Sequence, residues 1–178
     1  MIEKEFDLEA VYNQKARQNF KIKQPRMSDI MSWINGETLP EHMIDMMQSL
    51  WLSDQNFKDN MSYMIQDLSA SSFAQRAAAS TQDSVIKRTC SDKHFTIMLK
   101  PTKKSPDIYW LMIKSVGKHP DITTLSCQSD MQGIYIYKLP HIFASGEDHW
   151  QHRIKIDDKI AAYIRDNNAV LHLHSSGI

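Results

Sequence analysis

Two histidine–hydroxyl pairs are the residues of this chain whose types and spacing could support catalysis. His94 precedes Thr96 by two positions, and His174 precedes Ser176 by two positions. Alternate residues of a β-strand point to the same face, so each imidazole would lie beside a hydroxyl group if the pairs were on strands. Two such pairs facing each other could bind a phosphate group and divide the general acid and general base roles between the imidazoles. The four residues are therefore candidates for a catalytic site that acts on phosphate esters.

This paired pattern resembles the H-x-T/S signature of the 2H phosphoesterases. The resemblance rests on His94, Thr96, His174 and Ser176, with the second histidine 80 positions after the first. It implies hydrolysis of a cyclic phosphodiester, with one histidine from each motif lining a shared cleft. The second motif carries a serine where the first has a threonine. We treat this enzyme as the alternative function and a non-enzymatic protein as the favoured one.

Histidines also cluster between residues 147 and 174 in a pattern that could hold a metal ion. His172 and His174 alternate on a predicted final strand, which would place two imidazoles on one face as half of a zinc or iron site. His149 and His152 would complete the site from a predicted acidic loop. The spacing in that loop is irregular, and loop side chains of this kind are ordinarily solvated. The sequence therefore predicts no resident metal and no cofactor.

Positive charge is concentrated in residues 87–118, although the net charge of the whole chain is zero. Asp92 and Asp107 are opposed there by Lys87, Arg88, Lys93, Lys100, Lys103, Lys104, Lys114 and Lys118. The segment contains two predicted strands and their hairpin loop, and Trp110 closely follows the loop lysines. Basic residues can bind phosphates while a neighbouring ring stacks or inserts. The residues predicted to contact an anionic surface, either nucleic acid or phospholipid, are Lys100, Lys103, Lys104 and Trp110.

A methionine- and tryptophan-rich stretch from about residue 28 to residue 69 is predicted to form a compact unit of three short helices. Its apolar residues recur at helical spacing, and five of the chain's 11 methionines lie between Met27 and Met47. Flexible thioethers suit both adaptable core packing and adaptable binding surfaces. We predict that this helical unit binds a protein partner or a second copy of the chain through Met43, Met46, Met47 and Trp51.

The same stretch resembles the N-terminal domain of FecR-type anti-sigma regulators. The likeness covers residues 29–61, with the sequence DIMSWINGETLPEHMIDMMQSLWLSDQNFKDNM. It implies a short helix, a Gly-Glu turn and two further helices that present an apolar groove to a protein partner. An anti-sigma-like regulator is therefore a further alternative.

Composition and missing motifs narrow the function classes. A hydrophobic fraction of 42% and a charged fraction of 24% are typical of a soluble globular protein. No apolar run approaches the ~20 residues of a membrane-spanning helix, and the acidic first residues do not form a secretory signal. We therefore expect a cytoplasmic protein, located in a host cytoplasm if it is viral or a secreted effector. The nucleotide-binding patterns G-x-G-x-x-G and G-x-x-x-x-G-K-[ST] do not occur.

The secondary structure expected around these residues defines an α+β fold. Residues 1–90 are predicted to be helical, beginning with an amphipathic helix over residues 3–20. Residues 91–178 are predicted to form a mostly antiparallel sheet with one late helix. The whole chain would be one cooperative domain or two closely packed lobes. The helical half is expected to cover one face of that single sheet.

Overall fold

The computed structural model describes residues 25–73 and 85–175, and these form a mixed α+β protein. Its helices are α1 (Met27–Ile34), α2 (Glu41–Ser53), α3 (Gln55–Asp67) and α4 (Lys159–Arg165). Its strands are β1 (Ser71–Phe73), β2 (Ile86–Thr89), β3 (Phe95–Pro101), β4 (Ile108–Ser115), β5 (Ile122–Ser129), β6 (Gly133–Phe143), β7 (His149–Lys155) and β8 (Val170–Ser175). The predicted helix over residues 3–20 lies outside the described residues.

The strands form two antiparallel sheets instead of the single predicted sheet. Sheet A has the order β1-β8-β5-β6, and sheet B has the order β2-β3-β4-β7. Strands β4 and β5 are consecutive in the chain but belong to different sheets. Their apolar residues Leu111, Ile113, Leu125 and Cys127 share one buried cluster. These two strands therefore meet through side-chain packing between the sheets and not through backbone hydrogen bonds.

Four strands depart from the predicted elements. β1 and β2 lie inside residues 1–90, which the sequence predicts to be helical, so the division into a helical half and a sheet half is only partly right. β7 replaces the predicted His-rich loop, and its Trp150 and Ile154 point into the buried cluster. β6 continues beyond Pro140 to Phe143, although proline cannot donate to a ladder. The β5–β6 register shifts at this point, because Thr124 pairs with Lys138 whereas Ile122 pairs with Phe143.

The helical unit α1–α3 covers the outer face of sheet A at β6. A second buried cluster joins its apolar residues to Ile134 and Ile136 of that strand. Thr124 Oγ1 donates to the carbonyl oxygen of Ile34 at 2.7 Å, which anchors the end of α1. Trp51 Nε1 donates to the carbonyl oxygen of Ser129 at 3.1 Å, which anchors α2 at the β5–β6 turn. None of the described helices combines the length and apolar character needed to cross a bilayer.

An amide clamp from α2 completes the edge of sheet A. β6 is an edge strand, and the Gln48 side chain pairs with its backbone as another strand would. Ile134 N donates to Gln48 Oε1 at 2.9 Å, and Gln48 Nε2 donates to the carbonyl oxygen of Ile134. The amide fits because the preceding residue is Gly133, whose φ is +87° and whose missing Cβ leaves room for Gln48 Oε1. The Gln48 side chain therefore both docks α2 on sheet A and pairs with the open edge of β6.

Candidate anion-binding face

The outer face of sheet B carries three rows of side chains, and we call this surface the basic face. Strand pairing places Lys100, Trp110 and Arg153 side by side in the first row. The second row is Lys87, Met98, Met112 and Gln151, and the third is Thr89, Thr96, Lys114 and His149. The residues that alternate with these rows along β3 and β4, such as Ile97 and Leu111, point into the buried cluster. The face thus combines apolar groups with cations: the central strands carry Trp110, Met98 and Met112 together with Lys100 and Lys114, and the edge strands add Lys87 and Arg153.

An open groove of about 640 Å³ lies at the end of the basic face next to the β3–β4 hairpin. Its half-buried apolar lining is Ile108, Trp110 and Met112, and its exposed cations are Lys100, Lys103, Lys104 and Arg153. Among the described residues, no aspartate or glutamate lines this groove. Cations that share a concave surface without carboxylates raise the local potential and attract anions. The groove is therefore suited to an anionic ligand.

The centre of the groove is organised around the Trp110 ring. The Arg153 guanidinium carbon lies 4.8 Å from the centroid of that ring. Such a cation–π contact is worth about 0.5–1 kcal/mol at an exposed site. It fixes one cation beside the indole, while Lys100 lies opposite on the other neighbouring strand. A ligand in contact with the ring would therefore meet a positive charge on either side.

A second open groove, of about 470 Å³, lies at the other end of the basic face. Lys87 and Lys114 line it together with Asp148, so its charge is mixed. His149 also lines it and contacts Gln151, with 3.1 Å between Nε2 and Oε1. Because a carboxylate opposes an anionic group here, the hairpin groove is the stronger candidate for phosphate binding.

The structure does not bring the two histidine–hydroxyl pairs together. His94 is exposed in the turn before β3, with Nδ1 3.1 Å from the carbonyl oxygen of Val116. Thr96 lies on the basic face of sheet B, whereas His174 is buried on the outer face of sheet A. The two outer faces point in opposite directions from the shared core, so these residues form no common cleft. Ser176 lies outside the described residues.

The four candidate metal ligands are likewise divided between the sheets. His149 and His152 lie on β7, three positions apart, and therefore on opposite faces of that strand. His172 and His174 share one face of β8 in the other sheet. No cluster of three or more histidine, cysteine, aspartate or glutamate side chains that could hold a metal ion occurs within residues 25–73 and 85–175. The loop that was expected to supply His149 and His152 is a strand, which separates their side chains.

His172 and His174 instead form a buried polar pair between sheet A and the end of α3. Ser126 Oγ lies 2.7 Å from His174 Nε2, and the Leu68 carbonyl oxygen lies 3.2 Å from His174 Nδ1. Ser72 Oγ lies 2.8 Å from His172 Nδ1. Burial lowers the pKa of both imidazoles to about 4, and for His172 the neighbouring His174 adds to this effect. Both rings are therefore neutral at pH 7, and they act as hydrogen-bonded parts of the core.

The predicted protein-binding residues of the helical unit are used largely for internal packing. Met47 and Trp51 are buried in the cluster that joins the helices to β6. Met43 and Met46 are half-buried. Contact of this unit with a protein partner stays a prediction. It would involve Met43 and Met46, because Met47 and Trp51 are packed in the core. In contrast, all four residues predicted to meet an anionic surface, Lys100, Lys103, Lys104 and Trp110, line the same groove.

Sequence reasoning missed the contribution of β7 to this groove. Arg153 and Gln151 line it from that strand, and neither was a candidate. A period-2 signal was present, because Trp150 and Ile154 are apolar and point inward while Arg153 between them is polar and points outward. The neighbouring acidic and histidine residues obscured that alternation.

Comparison with protein-family models, with curated proteins and with solved structures finds no match to this chain.

Proposed function

We propose that this chain is a non-enzymatic binding protein that holds an anionic, phosphate-bearing ligand on its basic face. The observation that carries the proposal is the hairpin groove, where Lys100, Lys103, Lys104 and Arg153 surround the half-buried Trp110 and no carboxylate of residues 25–73 or 85–175 joins the lining. Such a groove raises the local positive potential and attracts anions. The cytoplasm, which the sequence predicts, is a compartment in which such ligands are abundant.

The geometry favours binding over catalysis. The hydrolase alternative needs His94 and His174 in one cleft, but His94 is exposed in the turn before β3 of sheet B and His174 is buried on β8 of sheet A. No histidine lines the hairpin groove. The anti-sigma alternative needs an open apolar groove on the helical unit, but Trp51 and Met47 of that unit are buried against sheet A. The basic face is supported by the fact that Lys100, Lys103, Lys104 and Trp110 line one groove.

The test is binding of inorganic polyphosphate to the whole protein at increasing salt concentration. We expect the affinity to fall steeply with salt, because each lysine contact releases counterions from the ligand. The double charge reversal Lys103→Glu and Lys104→Glu should weaken binding by roughly 10-fold or more at low salt, and it should flatten the salt dependence.

The matched control is the double charge reversal Lys118→Glu and Lys138→Glu. Both lysines are exposed and lie outside the groove. Because two lysines again become glutamates, this variant has the same net charge as the first. We expect its affinity to stay within about 3-fold of the parent protein, since distant exposed charges are screened. Equal losses in the two variants would show that net charge alone attracts polyphosphate. Absence of binding by the parent protein would overturn the proposed function.

A further inference from the structure

We infer that the ligand of the basic face is single-stranded nucleic acid, with an unpaired base stacked on Trp110. This inference rests on the proposed function and specifies its ligand. Trp110 lines the groove and is half-buried, so a ligand can reach part of its ring. The Arg153 guanidinium lies over the ring, 4.8 Å from its centroid, so a stacked base would take its place or use the other face. A base that stacked on the ring would bring its phosphates between Lys100 and Arg153, on the strands to either side.

The spacing of the side chains suits an extended chain. Neighbouring strands are about 5 Å apart, and alternate residues along one strand are about 7 Å apart. Along the face, Trp110, Met112 and Lys114 of β4 therefore provide a ring, a thioether and a cation in steps of about 7 Å. Stacking on aromatic rings combined with a positively charged groove is the general means by which proteins hold unpaired strands without reading their sequence.

A duplex and a bilayer fit the groove less well. The bases of a duplex are stacked within it and do not reach a ring at the half-buried level of Trp110, beneath exposed lysines. A bilayer requires protruding apolar groups, whereas here Trp110, Met98 and Met112 are half-buried and the cations Lys100 and Arg153 are exposed. The apolar side chains therefore lie deeper than the cations, which suits a narrow ligand that enters between the cations.

The experiment compares ligands that share phosphates but differ in bases. The probes are an oligothymidylate of about 12 nucleotides, within the usual site size, and inorganic polyphosphate. A duplex of the same length and vesicles of phosphatidylcholine with phosphatidylserine are measured alongside. We expect Trp110→Ala to weaken oligothymidylate binding by roughly 5- to 100-fold, the range for loss of one stacked base. Polyphosphate has no bases to stack, so Trp110→Ala should lower its affinity far less than the affinity for oligothymidylate.

Two further measurements keep the inference testable if Trp110→Ala is poorly folded. Trp110→Phe retains an aromatic face and should keep most of the oligothymidylate affinity. Oligothymidylate should also quench tryptophan fluorescence in the parent protein but not in Trp110→Phe, because Trp33, Trp51 and Trp150 are buried.

The outcomes separate the inference from the proposed function. Binding of polyphosphate with no effect of Trp110→Ala on oligothymidylate would overturn the stacked base and leave the anion-binding function intact. Tighter binding of the duplex or of the vesicles than of oligothymidylate would assign the groove to that ligand instead. Failure of every probe to bind would overturn both. Selective loss of oligothymidylate binding in Trp110→Ala, with binding retained in Trp110→Phe, is the result that supports the inference.

Discussion

Unfolding of this protein should take up about two protons between pH 6.5 and pH 4, and the fold should lose much of its stability across that interval. His172 and His174 are buried and neutral, and their pKa values are lowered from 6.5 to about 4. In the unfolded chain both imidazoles protonate near pH 6.5. The neutral, buried state therefore stabilises the fold less and less as pH falls, and the expected loss is roughly 3 kcal/mol per histidine by pH 4.

The measurement is the free energy of unfolding in urea at several pH values, followed by tryptophan fluorescence. Above about pH 7.5, where both imidazoles are neutral in the folded and the unfolded chain, the two histidines should contribute almost no pH dependence. Between pH 6.5 and pH 4 the slope should approach roughly 2.7 kcal/mol per pH unit, as expected for two protons. Near and below pH 4, carboxylates with lowered pKa values add to the loss. One is Asp92, which accepts hydrogen bonds from Cys90 and His94. Asp166 is another, where burial raises the pKa but hydrogen bonds from Ser129, Asn168 and Gln132 outweigh it.

Single substitutions assign this effect to the buried pair. His172→Gln and His174→Gln should each lower stability at pH 7, because a buried hydrogen bond is changed, and each should reduce the slope between pH 6.5 and pH 4 by about half. His42→Gln on the exposed surface of α2 is the matched control and should leave the slope as in the parent protein. An unchanged slope in both buried variants would show that other groups cause the acid sensitivity.

Gly133→Ala should destabilise the protein by about 2–4 kcal/mol, because it combines backbone strain with loss of the amide clamp. Gly133 has a φ of +87°, which residues with a Cβ adopt at a cost. The new Cβ would also overlap Gln48 Oε1, and the Gln48 side chain could escape only by breaking both of its hydrogen bonds to Ile134. Thermal and urea unfolding would measure the loss.

A double-mutant cycle with Gln48→Ala separates the two causes. In the Gln48→Ala background there is no amide to displace, so Gly133→Ala should cost only its backbone strain. We expect the two substitutions to be less than additive by about 1 kcal/mol or more. Strict additivity would contradict the clamp. Gly117→Ala is a useful comparison, because its φ is +86° and a Cβ there meets no atom within 4 Å.

The parts of the fold that could be predicted were those with strong local patterns. Apolar alternation in β3 and helical spacing in α2 and α3 fixed the type and approximate position of these elements. The pairing of the strands could not be predicted in the same way. The choice of β5 to pair with β8 and β6, and to pack against β4 through Leu125 and Cys127, depends on contacts between residues far apart in the chain. The pairing of the Gln48 amide with the β6 backbone could not be predicted either, since a side chain takes the place of a strand there.

The candidate site shows the same division between local and distant information. Lys100, Lys103, Lys104 and Trp110 are close in the chain, so charge and aromatic content identified them. Arg153 comes from β7 and joins them only through the pairing of β4 with β7. The histidine motifs carried no such information, because two short motifs do not show which sheet each one joins. His94 precedes β3 of sheet B, whereas His174 lies on β8 of sheet A.

The position of β8 in the middle of sheet A has a consequence for the order of folding. Ser72 of β1 meets His172 of β8, which lies 100 positions later in the sequence, and Leu68 meets His174, which lies 106 positions later. Closing such long loops is slow, whereas β3 and β4 are joined by a short hairpin loop. We therefore expect the β3–β4 hairpin of the basic face to form early and the helical unit to dock late. Until then, Ile134 and Ile136 would be exposed, and chaperone binding or aggregation during folding would involve that surface of sheet A.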